Sequence, residues 1–416
     1  IWAEIFQHST GHNCYTTLSY DQPPLNIIQT CTQFRDIAKT IPGWPNRVRL
    51  SGPRSTILTD HYLAYMKALL ACVDVSLWVE IRFPKPDILE TATNTSSASA
   101  AGITTWIKLC KMISHKLTRL TLIQGSTVEL ASLPRNSFPN LEWLACLNLI
   151  DKSSTPVVAF EDILSLQRVV INKYGSLISL PWPSLTHLYL GGTDFYPLDI
   201  KRCAKLKVFY CQGIMPVMEQ DSVDIESTPH FLTLAIHWST RYAALNMAWP
   251  IKSFQSAKSI YLGLPALDEA GDTFSLDALC DALKECHQLV DLALLSSHMT
   301  PSMLEKISMS VPHVHELELG SGVWEQETIN ALTHHRLFPH LRCLQLHMVE
   351  PVDTLAQVEM FQIIEHLRDR HVVSSRLQPI ELLVLLDVDE EWKEAADSLG
   401  SQVKFKQCNT LHRSRL

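Results

Sequence analysis

The sequence predicts an α/β solenoid in which each repeat unit adds one short strand to a parallel sheet. Three observations lead to this fold class. The pattern apolar-x-x-apolar-x-apolar recurs ten times between residues 117 and 346, with starts 19 to 32 residues apart. A proline stands two residues before the first apolar position in four units, where a missing N–H is tolerated before strand pairing begins; these are Pro139, Pro183, Pro312 and Pro339. Amphipathic segments fill the longer intervals, as expected of helical return segments.

The apolar triplets define the predicted strands. They are Leu117, Leu120, Leu122; Leu141, Leu144, Cys146; Leu166, Val169, Ile171; Leu185, Leu188, Leu190; Leu206, Phe209, Cys211; Phe231, Leu234, Ile236; Ala257, Ile260, Leu262; Leu289, Leu292, Leu294; Val314, Leu317, Leu319; and Leu341, Leu344, Leu346. A further strand is predicted at residues 380–385. This period and signature are those of degenerate leucine-rich repeats. One short strand cannot bury its own apolar edge, so the units must stack into a curved parallel sheet. We expect the array to occupy residues 117–416.

Return segments are predicted to be helical where they are longest, and irregular around residues 185–211. Residues 275–289 place Leu276, Leu279, Leu283 and Cys286 on one face, with Ser275 as the N-cap. Residues 300–311 begin with Thr300 and Pro301, a favoured helix start. Residues 354–371 form a third amphipathic segment.

Residues 51–116 form a predicted connector before the array. It contains an amphipathic helix that starts at Asp60, with Leu63, Met66, Leu70 and Val73 facing inward. Residues 77–83 read as a strand and would be a first, irregular member of the array. The Ser-, Ala- and Thr-rich residues 90–102 are predicted to be a mobile loop.

Residues 1–50 lack the repeat and predict a small three-helix module, followed by a short strand-like stretch, "RVRL". The stretches "EIF" (Glu4 to Phe6) and "C-x-x-F-R-D-I-A" (Cys31 to Ala38), with Trp44 after them, resemble the F-box of divergent proteins common in mushroom-forming fungi. In that family an F-box is followed by leucine-rich repeats, and the order here agrees.

The resemblance implies a partner, a Skp-type adaptor that connects to a cullin ubiquitin ligase. A three-helix module of this size also leaves apolar surface for a partner. The residues expected to contact the adaptor are Ile1, Ile5, Phe6, Pro24, Leu25 and Ile28. The family's opening Leu-Pro, which helps engage the adaptor, would lie upstream of Ile1, and we interpret Ile1 as an internal start within a longer gene product.

Composition restricts the function classes. Apolar residues make up 46% of the chain and charged residues 19%, so most of it should fold. The formal net charge of −8 and the lack of a dense Lys/Arg block argue against nucleic acid as the partner. Charged residues interrupt the longest apolar run, so we expect no membrane span. Eleven cysteines without a C-x-x-C pair indicate reduced, buried thiols, and hence a cytoplasmic or nuclear protein.

Common catalytic motifs are missing from the sequence, so we expect no enzyme and no cofactor. Two groups have metal-like spacing: His8, His12 and Cys14, and Cys280, Cys286 and His287. We interpret the first as a polar loop and the second as a buried helix face, and expect no metal site. The carboxylates of residues 387–392 are interpreted as a solvated turn.

The residue between the last two apolar positions of each strand should lie on the inner face of the sheet, away from the core. Tyrosine and tryptophan are frequent interface anchors. The expected target-binding residues are therefore Trp143, His187, Tyr189, Tyr210, Tyr261 and Glu318 on this face, and Trp324 in a loop. The alternative is that the tyrosines only shield the sheet.

Two functions are consistent with this reading. The first is the substrate-recognition subunit of an SCF-type ubiquitin ligase, in which residues 1–50 dock the adaptor and the repeats select a target protein. The second is a non-catalytic repeat scaffold that does not recruit a ligase.

Overall fold

A computed structural model of the chain describes two compact units, Ile1–Leu206 (unit 1) and Lys207–Leu416 (unit 2). The described residues are 16–17, 47–51, 63–64, 66–67, 76–83, 107–149, 155–172, 178–191, 202–212, 232–237, 255–263, 276–323, 327–328, 331, 337–348, 381–386 and 403–407.

The described strands of unit 1 form an open parallel sheet in chain order. They are β1 (Thr16–Thr17), β2 (Arg47–Ser51), β3 (Leu77–Arg82), β4 (Leu117–Ile123), β5 (Trp143–Leu147), β6 (Arg168–Asn172) and β7 (His187–Gly191). Residues 107–113 are helical and precede β4. The short helix α1 (Thr127–Ala131) follows β4, and a 3-10 turn (Trp182–Ser184) precedes β7. Residues 155–167, before β6, form turns rather than a helix, so the crossover connections that parallel pairing needs are helical only in part.

Unit 2 repeats this architecture. Its described strands are β8 (Val208–Gln212), β9 (Thr233–His237), β10 (Ser259–Gly263), β11 (Asp291–His298), β12 (Glu316–Val323), β13 (Cys343–Met348), β14 (Glu381–Leu386) and β15 (Val403–Gln407). Each pairs in parallel with the next. Helix α2 (Leu276–Lys284) lies between β10 and β11, and helix α3 (Pro301–Ser310) between β11 and β12. The predicted α/β class and parallel sheet are confirmed, in an arrangement compatible with a solenoid.

The apolar triplets lie in register from strand to strand. In unit 1 the second triplet residues pair in the order Leu120, Leu144, Val169 and Leu188. In unit 2 the corresponding order is Phe209, Leu234, Ile260, Leu292, Leu317 and Leu344. Every one of these side chains is buried. Since strand side chains alternate between faces, one face of each sheet carries the core and the other carries the intervening residues.

A recurring turn opens the units that begin with a bulky residue and a proline. Phe138, Trp182 and Phe338 are each buried. Each accepts, on its carbonyl, a hydrogen bond from the backbone N–H of the leucine three residues later, at 3.1, 3.3 and 3.0 Å respectively. The proline after the bulky residue needs no N–H partner in this turn. The bulky residue followed by proline is therefore a sequence motif for a tight turn, and the side chain of the bulky residue fills the core.

The polar residue just before the first leucine of a triplet ties its unit to the preceding one. Ser165 Oγ, for example, donates to the Leu141 carbonyl oxygen at 2.9 Å. The other described pairs of this kind are Asn140 Nδ2 to the His115 oxygen (2.7 Å), Ser184 Oγ to the Leu166 oxygen (2.8 Å) and His313 Nε2 with the Cys286 oxygen (3.1 Å). These bonds satisfy carbonyls at the strand starts and reinforce stacking of neighbouring units.

The helices predicted in unit 2 are present. In α2, Leu279, Leu283 and the following Cys286 are buried. In α3, Thr300 caps the helix by accepting a hydrogen bond from the Met303 N–H, and Pro301 occupies the first turn. Residues 63–64 and 66–67 of the connector are helical, and Met66 is buried as predicted. Ser275, Asp60, Leu70, Val73 and residues 354–371 lie outside the described residues.

One described strand of unit 1 occurs where a loop was expected. β1 lies in the predicted polar loop of the first fifty residues and pairs with β2, the predicted strand-like stretch. β2 continues the sheet to β3, so strand pairing begins well before residue 117. In unit 2, β15 has no counterpart in the sequence predictions. The predicted F-box helices, and the boundaries 1–50, 51–116 and 117–416, stay predictions.

Aromatic residues of the return segments pack in the core of unit 1. Phe138 and Phe160 are fully buried, and their rings stack with centroids 6.0 Å apart and planes at 14°. Within the described part of the chain, no helix combines the length and the apolar character that crossing a bilayer requires.

Candidate protein-binding face

The face of the unit 1 sheet opposite the leucines carries a regular row of aromatic and basic residues. Strand register places these residues side by side at one level across β3 to β7. The members are Trp78, Arg119, Trp143, Arg168 and His187, and we call this set the Trp–Arg row. Arg119 and Arg168 are exposed, so this face meets solvent.

The two tryptophans of the row contact each other across the strand between them. Their ring centroids lie 6.1 Å apart with planes at 71°, an edge-to-face arrangement. Strands β3 and β5 are separated by β4, about 9.6 Å apart at the usual spacing, so the rings must lean together over β4. Arg119 on β4 places its guanidinium carbon 5.3 Å from the Trp78 ring centroid. This cation–π contact orients the arginine and leaves its N–H edges available to an acceptor.

A β-bulge in the pairing of β3 with β4 aligns Trp78 with Arg119, the first two members of the row. Leu77 pairs with Leu117, but Trp78 pairs with Arg119, so Thr118 is the extra residue. Thr118 Oγ1 donates to the Leu77 carbonyl oxygen at 3.3 Å. A bulge redirects the side chains that follow it. Without this extra residue, Trp78 would align with Thr118 rather than with Arg119.

The next row of the same face contains buried residues. Glu80, Thr121 and Ala145 pair in register and are 4%, 5% and 2% exposed. Glu80 forms an ion pair with Arg82 on the same strand, with Nε and Oε1 2.6 Å apart. The Thr121 hydroxyl is buried and makes no hydrogen bond to any residue that the structure describes. The centre of the face is therefore dry, and its charged groups lie at the margin.

His187 and Tyr189 of β7 end this face within the described part of unit 1. His187 pairs with Arg168 and Tyr189 with Val170. Thr186 Oγ1 and His187 Nδ1 lie 2.9 Å apart, which holds the imidazole at the sheet surface. A side chain at Gly191 would approach Asn172 Oδ1 to 3.1 Å and the Tyr189 ring to 3.4 Å. Because Gly191 has no side chain, the Tyr189 ring can lie close to the backbone.

The corresponding face of unit 2 is acidic. Asp291 and Glu316 pair in register at the level that the Trp–Arg row occupies in unit 1, and Glu318 follows one level further along β12. The Tyr261 hydroxyl donates to the Asp291 carboxylate. Tyr210 is 7% exposed and Glu318 9% exposed. Tyr210 and Glu318 therefore offer little contact area, whereas Glu316 is exposed and Asp291 and Tyr261 are partly exposed.

The predicted target-binding residues are thus placed as follows. Trp143 and His187 lie together in the Trp–Arg row, and Tyr189 lies beside them. Tyr210, Tyr261 and Glu318 lie in unit 2. Trp324 and all six predicted adaptor contacts lie outside the described residues. Their roles in binding stay predictions.

The sequence analysis missed Trp78, Arg119 and Arg168. A signal for two of them was present, because the residue immediately before the second apolar position of each triplet shares the face with the residue after it. That position reads Arg119, Trp143, Arg168 and His187 in unit 1, and Val208, Thr233, Ser259, Asp291, Glu316 and Cys343 in unit 2. Trp78 follows the register shift at the start of β3, so this positional signal did not identify it.

Six of the seven cysteines that the structure describes are buried, and Cys343 is partly exposed. Burial raises the pKa of Cys146 and of Cys211 to about 12. Of the predicted metal candidates, Cys280 and Cys286 are buried, and Cys286 Sγ donates to the Ala282 carbonyl oxygen at 3.3 Å. No group of three metal-binding side chains is found among the described residues. His8, His12 and Cys14 and the carboxylates of residues 387–392 lie outside them.

Comparison with known proteins identified no relationship: no protein-family model and no curated protein sequence matches this chain.

Proposed function

We propose that this chain is a protein-binding leucine-rich-repeat protein that serves as the substrate-recognition subunit of an SCF-type ubiquitin ligase. The observation that carries the protein-binding part is the Trp–Arg row, a set of partly or fully exposed aromatic and basic side chains on a rigid parallel sheet. Aromatic residues and arginine are enriched at the centres of protein interfaces. Regular strands hold such side chains in place, which lowers the entropy lost on binding.

The ligase part of the proposal rests on the sequence resemblance of residues 1–50 to an F-box. In this proposal Ile5, Phe6, Leu25 and Ile28 contact a Skp-type adaptor, and the repeats hold the target within reach of the cullin-bound machinery. Ubiquitin transfer would be carried out by other subunits. The protein itself would need no catalytic residue, metal or cofactor, and would act in the cytoplasm or nucleus.

Co-purification tests the ligase part. The full-length gene product is expressed with an affinity tag in cells that contain the adaptor, alongside a Leu25→Asp/Ile28→Asp variant and a Trp143→Ala variant. We expect the wild type and Trp143→Ala to recover the adaptor, and the double variant to lose it. Failure of the wild type to recover any adaptor would overturn the ligase assignment.

A second candidate function is a repeat scaffold that recruits no ligase. The observation that favours it is the pairing of β1 with β2. β1 lies within the stretch assigned to the three-helix module, and a separate helical module would contribute no strand to the sheet. The scaffold predicts target binding without adaptor recovery, so the same pull-down separates the two functions.

A further inference from the structure

We propose that the Trp–Arg row of unit 1 binds an extended acidic segment of a partner protein whose carboxylates recur at every third residue. This inference deepens the protein-binding part of the proposed function and is independent of ligase recruitment. It names the chemistry that the face recognises and the conformation of the bound segment.

The charge of the face selects an acidic partner. Among the described residues of this face in β3 to β7, three are arginines and one is a glutamate, a formal excess of two positive charges. The glutamate, Glu80, is buried against Arg82. The other two arginines, Arg119 and Arg168, are exposed on either side of Trp143. The chain as a whole has a net charge of −8, so this positive patch stands against the overall charge of the protein. Complementary charge steers partners and excludes those of like charge.

The strand spacing of the row selects the conformation of the partner. The backbones of Arg119 and Arg168 are two strands apart, about 9.6 Å at the usual strand separation. A polyproline II segment rises ~3.1 Å per residue with three residues per turn. Carboxylates at positions i and i+3 therefore point the same way about 9.3 Å apart. A β-strand would instead place residues i and i+3 on opposite faces.

The tryptophans supply the apolar half of the site. Trp143 lies between the two arginines and is partly exposed, and its ring is braced by Trp78. Polyproline II segments dock on aromatic-lined surfaces, where proline rings pack against indole faces. The two residues between successive carboxylates would therefore contact Trp143. Across five strands the row spans about 19 Å, which accommodates about six residues of such a segment.

Arginine and tryptophan also suit single-stranded nucleic acid, which is a different proposal. The observations favour protein, because the two exposed arginines of the row are few for a phosphate backbone and the acidic chain would repel it. A nucleic-acid oligomer is nevertheless included in the test so that the two outcomes can be separated.

Fluorescence anisotropy with labelled peptides tests the inference on the purified full chain, without adaptor. The probe is a nonapeptide of three Glu-Pro-Pro triplets. Controls are a peptide of the same composition with its three glutamates adjacent, a Lys-Pro-Pro version, and a nine-nucleotide single-stranded RNA. We expect the periodic acidic peptide to bind about tenfold or more tightly than each control.

Charge-reversal variants localise the binding. Arg119→Glu/Arg168→Glu should weaken the acidic peptide by about tenfold or more and strengthen the lysine peptide. Trp143→Ala should weaken the acidic peptide several-fold. The matched control is Lys108→Glu/Lys111→Glu, which makes the same change in net charge at exposed positions of the helix 107–113. It should stay within about twofold of the wild type.

Three results would overturn the inference: equal binding of the periodic and clustered peptides, equal loss in the two charge-reversal variants, or tighter binding of the RNA than of any peptide. Circular dichroism of each variant checks that it folds, and gain of lysine-peptide binding by the Arg119→Glu/Arg168→Glu variant demonstrates an intact surface directly. Adaptor recovery in the pull-down is unaffected by either result, so failure here does not count against the ligase assignment.

Discussion

The hydrogen bond between Ser308 and Phe338 should be worth more to unit 2 than any exposed polar contact in α3. Ser308 Oγ accepts from the Phe338 backbone N–H at 2.7 Å, and the two residues are 3% and 1% exposed. Phe338 has a positive φ of 48°, which L-residues other than glycine adopt only when their surroundings enforce it. The bond thus holds the turn that leads into β13 against α3.

Replacing Ser308 with alanine removes the acceptor and leaves a buried N–H without a partner. Such a loss costs about 1–3 kcal/mol. Alanine returns up to about 0.5 kcal/mol through its higher helix propensity, so we expect a net destabilisation of about 0.5–2.5 kcal/mol. Ser302 is exposed in the same helix. Ser302→Ala is the matched control and should change the stability little.

Hydrogen exchange at the Phe338 amide is the most direct assay, because units of a repeat protein can open separately. The Ser308→Ala variant should lose protection at this amide by about 2- to 70-fold, while amides in unit 1 keep theirs. Urea denaturation of both variants gives the accompanying change in unfolding free energy. Unchanged protection at Phe338, or the same stability for the two alanine variants, would refute the reasoning.

Three further predictions concern unit 1 and the thiols. Thr121→Val should keep or raise stability by up to about 1 kcal/mol, since the buried hydroxyl bonds to no described residue; destabilisation in urea would contradict this. Phe160→Ala should destabilise by about 3–5 kcal/mol through the cavity left beside Phe138, and a loss below about 1 kcal/mol by thermal or urea unfolding would show that the site collapses. Cys146 and Cys211 have pKa values of about 12 in the folded chain, against 9.0 for an exposed thiol. The unfolded chain therefore loses these protons at lower pH than the folded chain does. As a result, the free energy of unfolding falls as pH rises from 9 towards 12. The slope is at most about 1.4 kcal/mol per pH unit for each thiol. In urea titrations at pH 8, 9 and 10, Cys146→Ala/Cys211→Ala should show a shallower decline, and an identical decline would exclude the thiols as its source.

The strand positions could be predicted because each depends on a few neighbouring residues. The spacing of three and then two between apolar residues places every second side chain on one face, and this signal repeats in each unit. The turn before several strands was likewise visible as a bulky residue followed by proline. Helices α2 and α3 were predictable from their caps and apolar faces, both of which are local features.

Elements without that local signal were missed or misread. β1 has two residues, both threonine, and shows no apolar alternation. β15 alternates lysine with apolar residues, but it is short and isolated in the sequence. Both strands exist because a neighbouring strand offers unpaired backbone groups, and pairing with it satisfies these groups whatever the side chains are.

By itself the sequence determined which residues occupy the core and which face of each strand is polar, because alternation within a strand depends only on residue order. It also determined that arginine precedes the second apolar position in two early units (Arg119 and Arg168) and a carboxylate in two later ones (Asp291 and Glu316). Only the tertiary structure decided that Trp78 and Trp143, 65 positions apart, meet across β4, where Arg119 packs on the Trp78 ring. That contact depends on a bulge of one residue and on parallel pairing of distant strands, and the register between strands is a property of the assembled sheet rather than of either segment.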